Sequence, residues 1–503
     1  MRKMKENACN NKNQKKNPGF LLSAVSSNSG KTAAACGLMS AFKQEGKRVC
    51  ACKCGPDYID PMFHREVLGV DSKNLDLFFS EEDILKEGYL KHTKDADITI
   101  TEGVMGFYDG MSLDSVKGSS YDVAQTLGLP VILVINARGA AMTLVATVKG
   151  IVEFRPDSNI RGILLNRVSA MLYPRLKAML ETELVQIGHG EIKVVGYMPE
   201  DEVFHLESRH LGLVTPQEMK DLKEKVKKAG EVLTRTVDLD ELERIAETAE
   251  LIGEKLDLAK EEVPDFLQKS VSVLEKKRSV RIAVARDQAF CFYYKDNMEL
   301  LENMGCELVT FSPLKDEKLP EKIQGILLGG GYPELYGKQL SENQTMLESI
   351  RKALHQGTPC LAECGGFMYL HEELEDADGH CWKFVGKIKG KTFPTGRLVR
   401  FGYVTVQRNE SEVEEIQGSE SSSEVEKTGW LLFGEKIRAH EFHYWDSTEN
   451  GSDCLAVKPD GKRQWTCMHL EENLVAGYPH LYYPSCRQFV EQFVEKCSAK
   501  DMH

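Results

Sequence analysis

The chain has 503 residues, of which 42% are hydrophobic and 28% are charged, and its formal net charge is -13. This length allows two to four ordinary domains, and the composition is that of a globular protein with enough apolar residues for real cores. The acidic balance argues against nucleic acid as a partner, since nucleic-acid-binding proteins carry a basic excess or a basic face. No apolar run is long enough for a membrane span, and the N-terminus lacks the apolar core of a signal peptide, so we expect a cytoplasmic protein.

The order of apolar runs predicts four regions. Residues 1–17 are a short basic tail that we expect to be disordered, and residues 18–215 alternate apolar runs with helical patterns. Such alternation predicts a parallel sheet covered on both faces. Residues 216–279 are charged and helical in period, which predicts surface helices and a linker. Residues 280–503 alternate again and include a Glu- and Ser-rich surface loop at Arg408–Gly429. The predicted fold class is α/β, with two domains.

Three cysteines alternate along the predicted strand KRVCACKCG, at Cys50, Cys52 and Cys54. Alternate residues of a strand face the same side, so a metal site is one interpretation. Zinc sites generally use wider Cys-x-x-Cys spacing in loops, and we therefore favour thiols packed in the core.

A phosphate-binding loop is predicted at SSNSGKT, which follows the first strand and opens a helix. The strict pattern has glycine where this chain has Val25, and an ordinary strand-to-helix turn is the alternative. Unpaired N–H groups and the positive dipole end of the helix favour phosphate. Lys31 would neutralise the terminal phosphates, and the Thr32 hydroxyl would bind Mg²⁺. The predicted ATP-binding residues are Ser29, Gly30, Lys31 and Thr32.

Two further segments place carboxylates near the predicted phosphate loop. KCGPDYIDP carries Asp57 and Asp60 in a Gly/Pro loop after a strand, and TEGVMG carries Glu102 at the end of another strand. Ligands of open α/β sheets bind beyond the carboxyl ends of the strands. Each residue alone is as easily a turn former or helix cap. As a set beside the phosphate loop, Thr32, Asp57, Asp60 and Glu102 predict a magnesium site.

The second section contains the pattern of a nucleophile elbow. TPCLAECGGFMYL is an apolar strand, a cysteine at position 364, two glycines and then a helix. We expect the helix N-terminus to lower the pKa of the Cys364 thiol. The upstream strand GILLGGGYPE ends in a Gly-rich loop, and amides of Gly330, Gly331 and Gly365 would form an oxyanion hole. Together these features suggest amide hydrolysis through a thioester.

The general base is expected to be a histidine. The candidates are His440, His443 and His480. Spacing alone does not rank them, and the first two could instead bind metal or substrate, or pack in the core.

Across nearly its whole length the chain resembles the cobyrinate a,c-diamide synthases of cobalamin biosynthesis. This family joins a dethiobiotin-synthetase-like ATP domain to a class I glutamine amidotransferase domain. The resemblance is carried by SSNSGKT, KCGPDYIDP, NLD (74–76), EGVMGFYDG, LNRV (165–168), SRHLGLV (208–214), AFCFYY (289–294), FSPL (311–314), GGGYPE, AECGGFMYL and HEFHY.

The resemblance implies roles for individual residues. It ranks His480, in a Gly-x-Tyr-x-His-like segment, as the base for Cys364, and it places Tyr58 and Ile59 near the corrinoid. Most triad amidotransferases have Glu two residues after the histidine, whereas this chain has Tyr482. What orients the imidazole is therefore an open question.

The implied reaction is ATP-dependent amidation of the a- and c-carboxylates of cobyrinate through acyl phosphates, with ammonia from glutamine. The expected partners are thus corrinoid, glutamine and ATP with Mg²⁺, in a monomer or small homo-oligomer. Hydrogenobyrinate and nickel sirohydrochlorin are alternative substrates, and cobyric acid synthases are a more distant match. A rival of another class is a regulatory P-loop ATPase fused to an inactive amidotransferase-like domain, which Cys364 and His480 argue against.

Overall fold

The structure is a computed structural model that describes residues 17–206, 216–249, 280–409, 430–431 and 434–500. Most of the predicted tail, the 250–279 part of the predicted linker, SRHLGLV and most of the predicted Glu/Ser loop lie outside these residues. The described chain divides into two compact units. The first comprises residues 17–77, 81–206 and 216–249, and the second comprises the remainder.

The first unit is an α/β sandwich with eight described helices. Its strands are β1 (Gly19–Ala24), β2 (Val49–Cys54), β3 (Ser72–Leu75), β4 (Ile98–Glu102), β5 (Val131–Asn136), β6 (Ile160–Asn166) and β7 (Lys193–Met198). Its helices are α1 (Lys31–Gln44), α2 (Ile59–Glu66), α3 (Glu82–Thr93), α4 (Ser120–Leu127), α5 (Met142–Phe154), α6 (Tyr173–Gln186), α7 (Pro216–Thr236) and α8 (Leu239–Ala246).

A parallel sheet with the strand order β3-β2-β4-β1-β5-β6-β7 forms the centre of the first unit. β1 is fully buried and lies between β4 and β5, as its continuous apolar run predicts. The carboxyl ends of β1, β2 and β4 therefore meet at one edge. In register, Glu102 is the partner of both Leu22 and Lys53, which brings the three predicted ligand-bearing loops to the same place.

Helices α7 and α8, from the charged region after residue 215, pack within the first unit. A Cβ on Gly37 of α1 would lie 2.7 Å from Leu233 of α7, so these two helices approach closely. Cys50, Cys52 and Cys54 are all buried in β2, and the last two belong to the hydrophobic core.

The second unit combines a mostly parallel sheet with antiparallel sheets. Its strands are β8 (Val280–Ala285), β9 (Phe290–Phe292), β10 (Cys306–Phe311), β11 (Gly325–Leu328), β12 (Gly330–Gly331), β13 (Cys360–Glu363), β14 (His371–Glu375), β15 (Cys381–Lys383), β16 (Ile388–Pro394), β17 (Arg400–Arg408), β18 (Lys436–His443), β19 (Trp445–Ser447), β20 (Cys454–Val457), β21 (Gln464–Cys467), β22 (His469–Glu471), β23 (Leu474–Gly477) and β24 (His480–Leu481). Its helices are α9 (Lys295–Asn303), α10 (Gly337–Glu342), α11 (Gln344–His355), α12 (Gly365–Tyr369) and α13 (Arg487–Ala499).

The main sheet of the second unit has the order β10-β8-β11-β13-β23-β22, in which only β22 is antiparallel to its neighbour. β13 lies between β11 and β23, so the residues that follow β11, β13 and β23 share one edge. A five-stranded sheet of order β21-β20-β17-β18-β24 carries His480. In the described ranges, no helix combines the length and apolarity that a membrane crossing requires.

Candidate active sites

The phosphate loop connects β1 to α1, as the sequence predicts. Gly30 is the residue before α1 and has φ 96°, a left-handed conformation that favours glycine. A Cβ there would lie 2.3 Å from Nδ2 of Asn166, which donates a hydrogen bond of 2.9 Å to the Ser29 carbonyl. Asn166, at the end of β6, thus fixes the loop from behind.

Lys31 lies over its own loop. Its Nζ donates to the Ser26 carbonyl at 3.1 Å and to the Met105 carbonyl in the loop after β4. Burial, followed by the neighbouring charge of Lys53, lowers the pKa of Lys31 to about 8. The lysine predicted to bind phosphate is therefore held at the loop by two carbonyl groups.

Thr32, Asp60 and Glu102 come together around a buried lysine. The Thr32 hydroxyl donates to Oε1 of Glu102 at 2.6 Å. Lys53 Nζ lies 2.6 Å from Oδ2 of Asp60 and 3.0 Å from Oε1 of Glu102. His64 Nε2 lies 3.5 Å from the other oxygen of Glu102. The network joins the ends of β2 and β4 to the first turns of α1 and α2.

The charges of this network explain the direction of each pKa shift. Burial opposes a charged Lys53, yet Asp60 and Glu102 raise its pKa. Burial and Asp60 likewise oppose ionisation of Glu102, but Lys53 and His64 hold its pKa below the usual value. For Asp57, burial and the charge of Asp60 dominate and raise the pKa. The ammonium of Lys53 thus interacts electrostatically with three carboxyl groups, those of Asp57, Asp60 and Glu102.

Asp57, Tyr58 and Ile59 form the half-buried start of α2. Oδ1 of Asp57 accepts a hydrogen bond of 2.8 Å from the Ile59 N–H. Asn74 Nδ2 donates to the carbonyls of Gly55 and Asp57, both at 2.8 Å. Asn74 belongs to the NLD segment, and its amide holds the Gly-Pro-Asp loop against the edge of the sheet.

The residues of this network fit a bound Mg²⁺. Carboxylate and hydroxyl oxygens are the ligands this hard cation prefers. Carboxylates outnumber the ammonium of Lys53 in this buried place, and a divalent cation would neutralise the excess negative charge. Lys53 and His64 were missed in the sequence, although a lysine between two cysteines of a buried strand is itself a signal of function.

The strand, turn and helix predicted around Cys364 are present in the second unit. Cys364 follows β13, precedes α12 and has φ 47° and ψ -105°, a strained conformation for a non-glycine residue. Its N–H donates to the Gly477 carbonyl at 2.8 Å. The first N–H of the helix, from Gly365, does lower the pKa of Cys364, but burial, followed by the charge of Glu334, outweighs it, so the net shift is upward and not downward as expected. A helix of only five residues lowers the thiol pKa by less than full burial raises it.

The predicted oxyanion glycines surround this turn. A Cβ on Gly365 would lie 2.9 Å from the backbone N of Gly331. A Cβ on Gly330 would lie 2.3 Å from Cε1 of His480, so the imidazole occupies the space that the absent side chain leaves. The structure therefore brings Gly330, Gly331, Gly365 and His480 to the edge where Cys364 lies.

The other two histidines lie on β18, beside the strand that carries His480. His440 is the cross-strand partner of His480 on β18. His443 stacks on Tyr478 with ring centroids 3.8 Å apart, and its Nδ1 lies 2.6 Å from the Trp445 carbonyl. Burial, followed by the charges of His440 and His443, lowers the pKa of His480 to about 3. The imidazole of His480 is therefore neutral at physiological pH.

The matches with known proteins agree with the two units. The model of the CobQ/CobB/MinD/ParA nucleotide binding domain matches residues 21–214, and that of the CobB/CobQ-like glutamine amidotransferase domain matches residues 281–487. Curated relatives named cobyrinate a,c-diamide synthase include that of Caldanaerobacter subterraneus subsp. tengcongensis, 36% identical over 95% of this chain and 98% of its own. Those of Clostridium tetani (37%, 95% and 99%) and Fusobacterium nucleatum (38%, 94% and 99%) are similar.

The chain belongs to the cobyrinate a,c-diamide synthase family. The predicted family and the predicted α/β fold class are thereby confirmed, as is the prediction of an enzyme. The match over residues 21–214 also identifies a nucleotide-binding domain.

Replacing Lys53 with methionine tests the charge network. Lys53→Met leaves Asp60 and Glu102 buried without their cation, and we expect the first unit to lose about 3–5 kcal/mol of stability. The control is Lys47→Met, because Lys47 pairs with Glu243 at a half-exposed position and such pairs contribute about 1 kcal/mol or less. Urea unfolding of both variants gives the comparison.

The loss in Lys53→Met depends on pH. The depressed pKa of Glu102 stabilises the wild-type protein at neutral pH, and this contribution disappears as the pH falls through that pKa. The difference from wild type should therefore shrink in acid. Equal losses in Lys53→Met and Lys47→Met at neutral pH would contradict the role of the network.

A pH profile tests the state of His480. Because its pKa is about 3, the imidazole remains an unprotonated base in mild acid. We expect kcat/KM for glutamine to remain level as the pH falls from neutral to about pH 5. Circular dichroism at each pH controls for unfolding. An acid limb near the ordinary histidine pKa of about 6.5 would count against a buried neutral base.

Proposed function

We propose that this chain amidates the a- and c-side-chain carboxylates of cobyrinate, using ATP and ammonia from glutamine. One observation carries the proposal: the three relatives of that name described above match the chain over 94–95% of its length. The proposed domains are 18–215 for ATP and corrinoid and 280–503 for glutamine, with 216–279 as the helical region and linker, of which α7 and α8 pack on the first domain.

Glutamine cleavage is assigned to the second unit. The Cys364 sulfur attacks the side-chain amide carbon, and its proton passes to the neutral His480. The carbonyl oxygen becomes an oxyanion held by N–H groups of Gly330, Gly331 and Gly365, each contributing about 3 kcal/mol. His480 then protonates the leaving ammonia, and water hydrolyses the thioester to release glutamate.

Carboxylate activation is assigned to the first unit. The γ-phosphoryl group of ATP passes to a substrate carboxylate, giving an acyl phosphate and ADP. Ammonia then attacks the acyl carbon, the bond from that carbon to the phosphate oxygen breaks, and the proton lost by nitrogen leaves with the phosphate. Lys31 and the loop amides of Ser29, Gly30 and Thr32 stabilise the charge on the transferring group.

Mg²⁺, bound by Thr32, Asp57, Asp60 and Glu102, would neutralise phosphate charge. Lys53 holds Asp60 and Glu102 in place for this role. Tyr58 and Ile59 lie between the two aspartates and are proposed to contact the macrocycle. Their aromatic and aliphatic side chains suit the flat, apolar ring face.

Incubation with cobyrinate, glutamine and Mg-ATP tests the substrate. We expect mass spectrometry to show two successive replacements of a carboxylate oxygen by an amino group. Parallel reactions contain hydrogenobyrinate or nickel sirohydrochlorin. Efficient amidation of either alternative, together with none of cobyrinate, would assign the chain to that substrate instead.

Two variants separate the chemistry of the two units. Cys364→Ser should abolish glutamine-dependent amidation but retain amidation with high ammonia, because ammonia bypasses the thioester. Lys31→Ala should abolish amidation from either nitrogen source and retain glutamine hydrolysis. The measurements are glutamate release and amide product for each folded variant. Loss of the ammonia-dependent reaction in Cys364→Ser would contradict a dedicated glutaminase role.

A further inference from the structure

The segment that carries His480 is short and needs support from outside its own strand. β24 consists of His480 and Leu481 and pairs only with β18 in the five-stranded sheet. In a Cys-His-Glu arrangement, a carboxylate orients the imidazole. In this chain the residue two positions after His480 is Tyr482, whose hydroxyl donates to Asp296 at 2.8 Å. A tyrosine thus stands where most triad amidotransferases have the carboxylate.

Asn297 holds the backbone directly after His480. It belongs to α9 and is only 3% exposed. Its Nδ2 donates to the Leu481 carbonyl at 2.8 Å, and its Oδ1 accepts from the Tyr483 N–H at 2.9 Å. One side-chain amide thus satisfies both a donor and an acceptor of the backbone, as a neighbouring strand would. Buried bonds of this kind are costly to lose because each partner is left unsatisfied.

Glu363, on the strand that leads to Cys364, contacts the same segment. It is the residue before Cys364, is buried in β13 and pairs in register with Gly477. Its carboxyl group, whose pKa burial raises to about 8, is hydrogen-bonded to the Tyr483 hydroxyl and the Leu481 N–H. The strand that leads to the nucleophile is therefore linked directly to the strand that carries the base.

We propose that Asn297, supported by Glu363, is the positioning residue that orients His480 in this chain. It acts through the backbone of residues 481–483, and not on the imidazole as the usual carboxylate does. The inference rests on the proposed glutaminase roles of Cys364 and His480. Asn297 bonds the residues that follow His480 in the chain. Its proposed effect is therefore on the alignment of the base and not on glutamine binding.

Alanine at position 297 tests this role. A displacement of about 1 Å in a catalytic group can reduce the rate about 100-fold. We expect Asn297→Ala to lower kcat for glutamine hydrolysis by about 10- to 100-fold with KM unchanged, and to retain ammonia-dependent amidation. The readouts are glutamate release at varied glutamine concentration and product formation with ammonia.

Asn343→Ala is the matched control. Asn343 also lies in the second unit, and its amide bonds the carbonyls of Pro313 and Asp316 and the Met346 N–H. Its loss destabilises the unit without touching the His480 segment, so glutaminase kcat should stay at the wild-type value. A wild-type kcat in Asn297→Ala, or an equal loss in both variants, would overturn the proposal.

Variants at Glu363 decide the matter if Asn297→Ala does not fold. Glu363→Gln keeps an oxygen that can accept both hydrogen bonds, whereas Glu363→Ala removes it. We expect kcat to be largely preserved in the first and reduced about 10-fold or more in the second. Equal kcat in the two variants would reject the positioning role. Cys364→Ser is assayed alongside, and glutamine hydrolysis by that variant would refute the proposed function itself.

Discussion

The site in the first unit depends on the buried ion pairs that the Lys53 ammonium forms with two carboxylates. The ammonium lies within 3.0 Å of carboxylates from Asp60 and Glu102, which the chain delivers from α2 and β4. Two carboxylates in a place of low polarity would otherwise repel each other, and at least one would take up a proton. With Lys53 present, Glu102 remains ionised and can accept the Thr32 hydroxyl from the phosphate loop. The ionised state of Glu102, and through it the hydrogen bond to the phosphate loop, thus depends on one lysine.

In the second unit, burial controls reactivity more than the helix does. Cys364 has the backbone conformation of a nucleophile elbow, but its surroundings keep the thiol protonated. His480 is buried too, and its pKa is lowered. A thiol of raised pKa and an imidazole of lowered pKa are both neutral, so the proposed proton transfer between them becomes favourable only when negative charge is placed on an oxyanion.

The sequence was most informative where function depends on the end of a strand. Thr32, Asp60 and Glu102 could be expected to meet because parallel strands bring their carboxyl ends to one edge. Lys53 and Asn297 were not found in this way. Their partners are distant in sequence: Lys53 bonds Glu102, 49 residues away, and Asn297 bonds Leu481, 184 residues away. Such contacts depend on strand order and helix docking, which periodicity does not specify.

The thiol pKa shows a different limit of pattern-based reasoning. Gly365 and Gly366 correctly indicated a turn into a helix, but the pattern contains neither the five-residue length of that helix nor the complete burial of Cys364. The sign of the shift is set by the balance of these two quantities. Motifs therefore predict which atoms meet more reliably than they predict protonation states.

The two units share a physical arrangement in which reactive groups are held by the protein before substrates bind. Lys31 donates to two carbonyls, and one of them belongs to Met105, a non-glycine residue with φ 47°. That conformation costs about 1–3 kcal/mol, which the lysine bond helps to offset. In the proposed mechanism, phosphate competes with these carbonyls for Lys31, and the oxyanion formed from glutamine makes ionisation of the Cys364 thiol favourable. In that mechanism, the contacts that accelerate each reaction are those formed with the transition state and not those that the protein makes alone.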